Sequence, residues 1–183
     1  NPTPISDLND GPGEDIAWSS SSTAVSANWD AASDTESGID EYIYSIDKAG
    51  GESVVLWTLT GTDATFFSHT GLSLEENVKY IVSVISKNGA MLVNEGGGVT
   101  SNGFRVDTSA PSPIPYVYDG QGVSSDLDFA STPSQISATW GDAVDDESGI
   151  LTYYFALGTA TGATDVVDWS SVVSSATTAK NLS

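Results

Sequence analysis

The sequence predicts an all-β fold in which one sandwich domain occurs twice, and three observations carry that prediction. The first is a repeat: Trp29-Asp30-Ala31-Ala32-Ser33-Asp34-Thr35-Glu36-Ser37-Gly38-Ile39 returns as Trp140-Gly141-Asp142-Ala143-Val144-Asp145-Asp146-Glu147-Ser148-Gly149-Ile150. A period of about 110 residues is far longer than that of solenoids or propellers, so each copy is expected to be a whole domain with its own core. The second is apolar residues alternating with polar ones, the period of half-buried strands. The third is the absence of any segment with a helix period and caps, the short strand-like runs being separated by Gly, Asn and Asp turns.

The elements follow in order. Pro2-Thr3-Pro4-Ile5 and Asp10-Gly11 recur as Pro111-Ser112-Pro113-Ile114 and Asp119-Gly120. Residues 23–29 place Val25, Ala27 and Trp29 on one face, and the second copy repeats this with Ile136, Ala138 and Trp140. Tyr42, Tyr44 and Ile46 share a face of the next strand, as do Tyr153, Phe155 and Leu157. Residues 54–59 and 166–169 read as a third strand, and residues 64–67 as a fourth in which adjacent Phe66 and Phe67 must point to opposite faces. Residues 78–85 alternate with Val78, Tyr80, Val82 and Val84 together, and residues 99–106 make the last strand. The linker 107–113 holds two prolines, which favour an extended, stiff connection and end-to-end stacking of neighbouring domains.

The boundaries are therefore a first domain over 1–109 and a second over 110–183. Aligning Ala64-Thr65 with Ala176-Thr177, and Gly71-Leu72-Ser73 with Asn181-Leu182-Ser183, leaves residues 74–109 without a counterpart. The second domain is thus expected to lack its last strands within this chain. They would come from residues beyond Ser183 or from another chain, because an open sandwich edge invites aggregation. A fragment of a longer protein is the favoured reading.

Trp29 ending one strand, Tyr42 in the next, Gly71-Leu72 and Leu74 before a turn, and Tyr80 six residues after Leu74 resemble the core of fibronectin type III domains. The Asp-Gly element, the Trp followed by Glu-Ser-Gly-Ile, and Gly162-Ala163-Thr164-Asp165-Val166-Val167-Asp168-Trp169 look like a repeat of large bacterial surface proteins. The resemblance implies tandem Ig-like β-sandwiches, with Tyr80 as a tyrosine-corner residue whose hydroxyl bonds backbone near Leu74 or Asn77. The Arg-Gly-Asp tripeptide by which some animal members bind integrins is absent, and Arg105-Val106-Asp107 does not replace it.

A net charge of −20, from 25 acidic residues against five Lys and Arg, would repel phosphate backbones and anionic membranes, which argues against nucleic acid as a partner. With no cysteine, disulfides and thiolate metal sites are excluded. No apolar run approaches the ~20 residues that span a bilayer, and the first residues lack signal-peptide character. Any export signal or anchor is expected outside these residues.

Asp34-Thr35-Glu36-Ser37-Gly38 and Asp145-Asp146-Glu147-Ser148-Gly149 are the candidate chemistry. Asp34, Glu36, Asp145, Asp146 and Glu147 crowd oxygens on sharply turning loops, as a hard cation such as calcium requires, although the spacing is not that of an EF-hand loop. In a fibronectin-like sandwich these loops lie where the chain enters the domain, so that a cation at Asp145, Asp146 and Glu147 could stiffen the junction. The alternative is a strand connection in which Asp caps the turn and Gly supplies positive φ. Asp10, Glu14 and Asp15, with Asp119, Asp126 and Asp128, form a second acidic set, with a solvated face as its plain reading.

Catalysis is not expected. His69, the sole histidine, reads as a surface residue beside a turn, and no Gly-x-Ser-x-Gly surrounds a nucleophile. Trp29 and Trp140 read as core, Trp57 and Trp169 as half-buried on an edge strand, and Trp18 as a flank cover. Asn181-Leu182-Ser183 fits the glycosylation sequon, a weak match. The expected function is a non-catalytic extracellular spacer or adhesion repeat of a large exported bacterial surface protein, whose partners are neighbouring repeat domains. The alternatives are a module that binds a surface glycan or protein, with calcium as a stiffening ion, and an accessory domain of a secreted hydrolase.

Overall fold

The structure, a computed structural model, describes residues 1–61, 64–120 and 126–173, and the backbone of 176–180. Residues 181–183, which hold the sequon and the last aligned tripeptide, lie outside the described residues. The chain divides into two compact units, Asn1–Thr108 and Ser109–Ser183.

Unit 1 is built from β1 (Ser6–Asp10), β2 (Trp18–Ser19), β3 (Ala24–Asp30), β4 (Ile39–Lys48), β5 (Ser53–Leu59), β6 (Phe66–Thr70), β7 (Lys79–Asn88), β8 (Val99–Thr100) and β9 (Phe104–Val106). One sheet has the order β1-β3-β6 and the other β2-β9-β7-β4-β5, with β8 on β7. This strand order is that of a fibronectin type III-like sandwich. The alternating residues meet between the sheets: Val25, Ala27 and Trp29 from β3, Tyr42, Tyr44 and Ile46 from β4, and Tyr80, Val82 and Val84 from β7 are all buried. Trp29 meets the edge of Tyr42 at 5.4 Å, and Phe67 stacks on Tyr44 at 3.8 Å with the rings 9° apart. The edge-on contact of Trp29 with Tyr42 is of the kind that adds about 0.5–1.5 kcal/mol beyond area burial.

Two differences from the sequence reading have physical causes. β4 runs the full length of β7 because nine of its residues pair across that strand, so the element outlasts its apolar stretch. The last strand is two, not one: Gly103, at φ 82°, turns the chain between β8 and β9. A Cβ at that position would lie 2.6 Å from the Tyr80 carbonyl oxygen, so the close approach needs glycine.

Unit 2 contains β10 (Val117–Asp119), β11 (Gln135–Trp140), β12 (Tyr153–Leu157), β13 (Val167–Val172) and β14 (Ala176–Lys180). Its sheets are β10-β11-β14 and β12-β13, matching β1-β3-β6 and β4-β5. The copies agree to the residue pair. Tyr44↔Thr58 and Ile46↔Val55 in unit 1 become Phe155↔Ser170 and Leu157↔Val167 in unit 2, with the same bulge between them. Trp140 again meets Tyr153, at 5.8 Å. No helix among the described residues is long and apolar enough to cross a membrane.

Candidate functional site

The acidic loops fold around their own first aspartate. In unit 1, Asp34 Oδ1 accepts the Ser37 N–H at 2.8 Å and the Ser37 hydroxyl at 3.2 Å, while Oδ2 accepts from Asn88 Nδ2 at 3.0 Å. The Asn88 amide first, and the Ser37 N–H next, hold the Asp34 carboxyl below the usual carboxylate range. Gly38 closes the turn at φ 67°. Glu36 is exposed on the same loop. Asn88 also accepts the N–H groups of Ala90 and Leu92 on its Oδ1, so one amide ties this loop to the turn after β7.

The second loop repeats the device with a different set of donors. Asp145 Oδ1 accepts from the N–H of Ser148 at 2.9 Å, of Gly149 at 3.1 Å and of Glu147 at 3.3 Å, and Gly149 has φ 75°. Carboxylate oxygens of Asp145 and Glu147 lie within 4.8 Å of each other, and Asp146 is exposed. Of the five residues singled out in the sequence, Asp145 and Glu147 are the pair brought close enough to share one hard cation. Asp34 has both oxygens engaged by hydrogen bonds within its own unit.

The second acidic set holds the turn after each first strand. Asp15 Oδ1 accepts the Asp10 N–H at 3.0 Å, and Asp126 Oδ1 accepts the Asp119 N–H at 3.1 Å. Gly11 and Gly120, at φ 110° and 116°, donate to the Ser26 and Ser137 carbonyls at 2.7 Å each. Asp10 itself is buried and accepts the Gly103 N–H on Oδ2 at 2.9 Å. Its Oδ1 has no hydrogen-bond partner among the described residues, and burial pushes the carboxyl above its ordinary value. Glu14 and Asp128 are exposed.

His69 is not the exposed turn residue that its sequence position suggested. It lies half-buried in β6, two residues from Phe67 and on the same face, with Nδ1 2.7 Å from the Tyr44 hydroxyl. Period-two alternation brings it inward, and a buried phenol needs a partner. Phe66 is exposed and Phe67 buried, as adjacent strand positions require. Trp18, half-buried in β2, pairs with Arg105 of β9.

An outward-facing aromatic emerges from the bulge in β5. The extra residue there turns Trp57 out of the sheet, leaving it 50% exposed, with Leu56 and Leu59 also exposed. The indole reaches toward the chain ahead of β8, where its Cη2 lies 3.1 Å from the position a Cβ on Gly98 would take. Ser45 and Ser83, paired across β4 and β7 at positions alternating with Tyr44, Ile46, Val82 and Val84, are both buried. Trp169 occupies the equivalent bulge in unit 2 and is 65% exposed. The signal available in the sequence was Val54-Val55-Leu56-Trp57, four apolar residues whose run breaks alternation and marks a bulge.

No family model matches the chain, and no curated protein matches it. Among solved structures, the chain is similar to the FN1–FN3 domains of chicken CNTN1, with 17% identity and a TM-score of 0.41 over 98% of this chain and 56% of that one. It is similar to the twitchin kinase region from C. elegans, with 18% identity and a TM-score of 0.40 over 58% of this chain and 17% of that one. A titin module from human cardiac muscle gives 17% identity and a TM-score of 0.39 over 58% of this chain and 90% of that one. The chain thus spans about a sixth of the twitchin structure and just over half of the contactin one.

Proposed function

We propose that this chain is a non-catalytic spacer or adhesion stretch of a large exported bacterial surface protein, in which successive sandwiches give reach and their surfaces give contact. The observation that carries this reading is the reuse of one sandwich with one strand register, in which Asp15, Asp34, Asp126 and Asp145 are spent on holding turns. Repeated modules whose polar groups serve their own loops suit a scaffold better than a reaction centre. An antibody raised against the chain should label intact cells of its source. Labelling only after lysis would remove the surface assignment.

A second reading, binding of a glycan or protein ligand, is favoured by Trp57 and Trp169, two exposed indoles at one bulge position. A ligand stacking on Trp57 would change its fluorescence, and Trp57→Ala would abolish that change without unfolding unit 1. Calcium at Asp145 and Glu147 belongs to the same reading. A native-state ligand must raise stability, so melting curves with calcium and with chelator that coincide would dismiss the ion.

A further inference from the structure

Glycine follows asparagine at Asn88-Gly89 and at Asn102-Gly103. In such a pair the glycine nitrogen can attack the asparagine carboxamide, because no Cβ shields it and the two groups are neighbours in the chain. The attack closes a succinimide ring and expels ammonia, and water then opens the ring to aspartate or isoaspartate. The fold treats the two pairs in opposite ways. Asn88 is buried: its Oδ1 accepts the Ala90 and Leu92 N–H groups, and its Nδ2 donates to Asp34 at 3.0 Å. The Gly89 N–H donates to the Gly38 carbonyl oxygen at 3.2 Å, and a neutral carbonyl is too weak a base to take its proton. A carboxamide fastened at both its oxygen and its nitrogen cannot turn to meet the next residue.

Asn102 is exposed on the turn between β8 and β9, and its Nδ2 donates to Asp15 Oδ2 at 2.7 Å. The acceptor of the Gly103 N–H is a carboxylate, Asp10 Oδ2, at 2.9 Å. Asp15 Oδ1 accepts the Asp10 N–H at 3.0 Å, so one network from the turn after β1 holds both groups that would react. Asp10 is fully buried, with its Oδ1 unpartnered among the described residues. Burial raises its carboxyl above the ordinary value, which makes its anion a stronger base than a solvated carboxylate.

We propose that Asn102-Gly103 is a site of self-promoted deamidation, in which Asp10 is the base and Asp15 positions the carboxamide that is attacked. Asp10 Oδ2 takes the Gly103 proton as the Gly103 nitrogen bonds to Asn102 Cγ. The Cγ–Nδ2 bond breaks, and that nitrogen leaves as ammonia with the proton Gly103 gave up, which frees Asp10. Water hydrolyses the succinimide and leaves a carboxylate on residue 102. That carboxylate cannot donate to Asp15 and repels it, so the tie between the turn after β1 and the turn ahead of β9 is cut. Unit 1 therefore loosens with age, and in one direction.

The test ages the 183-residue chain at neutral pH, folded and in denaturant, and reads the gain of about 1 Da per event by mass spectrometry with fragmentation of tryptic peptides. The folded rate of each pair is taken relative to the same pair's rate in denaturant. That ratio should be about one or higher for Asn102 and about ten-fold or more lower for Asn88. Asp10→Asn keeps an acceptor for the Gly103 N–H without the base, and should slow Asn102 in the folded chain by about ten-fold or more. Cleavage at Lys48, Lys79 and Lys87 separates residue 10 from residue 102, so the two positions are read apart. Asn102→Asp, which has the aspartate product's side chain, should lower the melting midpoint of unit 1. Equal ratios at the two pairs would overturn the site. An undiminished rate in the Asp10→Asn chain would overturn the base, and an unchanged midpoint for Asn102→Asp would overturn the loosening.

Discussion

Tyr80 links the interior to the chain that leads into β7: it is fully buried, and its hydroxyl accepts the Glu75 N–H at 2.8 Å. Tyr80→Phe leaves that N–H without its partner and should lower the stability of unit 1 by about 1–3 kcal/mol, measured by thermal or denaturant unfolding. Two carboxylates set opposite pH responses. Asp34 is held below its ordinary 3.8, so its contribution is present above that value and is lost as pH falls through the folded pKa. Asp10 is raised above 3.8 by burial, so its contribution is present below that value and is lost as pH climbs through the folded pKa. Melting curves should therefore show Asp34→Ala lowering the midpoint near neutral pH, with an effect that shrinks in acid as the pH falls through the folded pKa, below 3.8. Asp10→Asn should raise the midpoint near neutral pH and do little in acid, since an amide oxygen can still accept from Gly103. Equal effects at both pH values would contradict these assignments.

At the scale of elements, β9 depends on one glycine. Gly103→Ala would put a methyl against the Tyr80 carbonyl and impose a left-handed backbone costing about 1–2 kcal/mol before the clash is counted. The Tyr80↔Phe104 pair should then exchange its amides much faster, while β3 and β6 stay protected. The strands most legible in the sequence were those whose apolar residues alternate: β3 through Val25, Ala27 and Trp29, where burial alternates strictly, and β7 through Tyr80, Val82 and Val84. β1 and β2 were not legible as strands. Ser6–Asp10 is polar, bulged between Ser6 and Asn9 and only partly covered, and Trp18–Ser19 is two residues long. The acidic loops were visible as oxygen-rich turns. What the sequence could not reveal was Asn88, 54 positions from Asp34, coming back as its hydrogen-bond donor, because that contact exists only once β4 and β7 pair. His69 was misplaced for a related reason: its inward face follows from strand phase, and the strand extended further than residues 64–67 suggested.

Across the whole molecule, each unit reads as the same solution to the same sequence problem. Turn glycines, turn-holding aspartates, the tryptophan against a tyrosine and the bulge that presents an exposed indole all occur twice. The cores differ in burial: Ile136, Phe155 and Leu157 are half-buried in unit 2, whereas Val25, Tyr44 and Ile46 are buried in unit 1. That duplicated register is the claim on which the rest depends, and NMR cross-strand contacts test it most directly. The account predicts backbone contacts between Tyr44 and Thr58 and between Ile46 and Val55, and the same contacts between Phe155 and Ser170 and between Leu157 and Val167. A second unit whose strands pair in another register, or without the bulge, would contradict it.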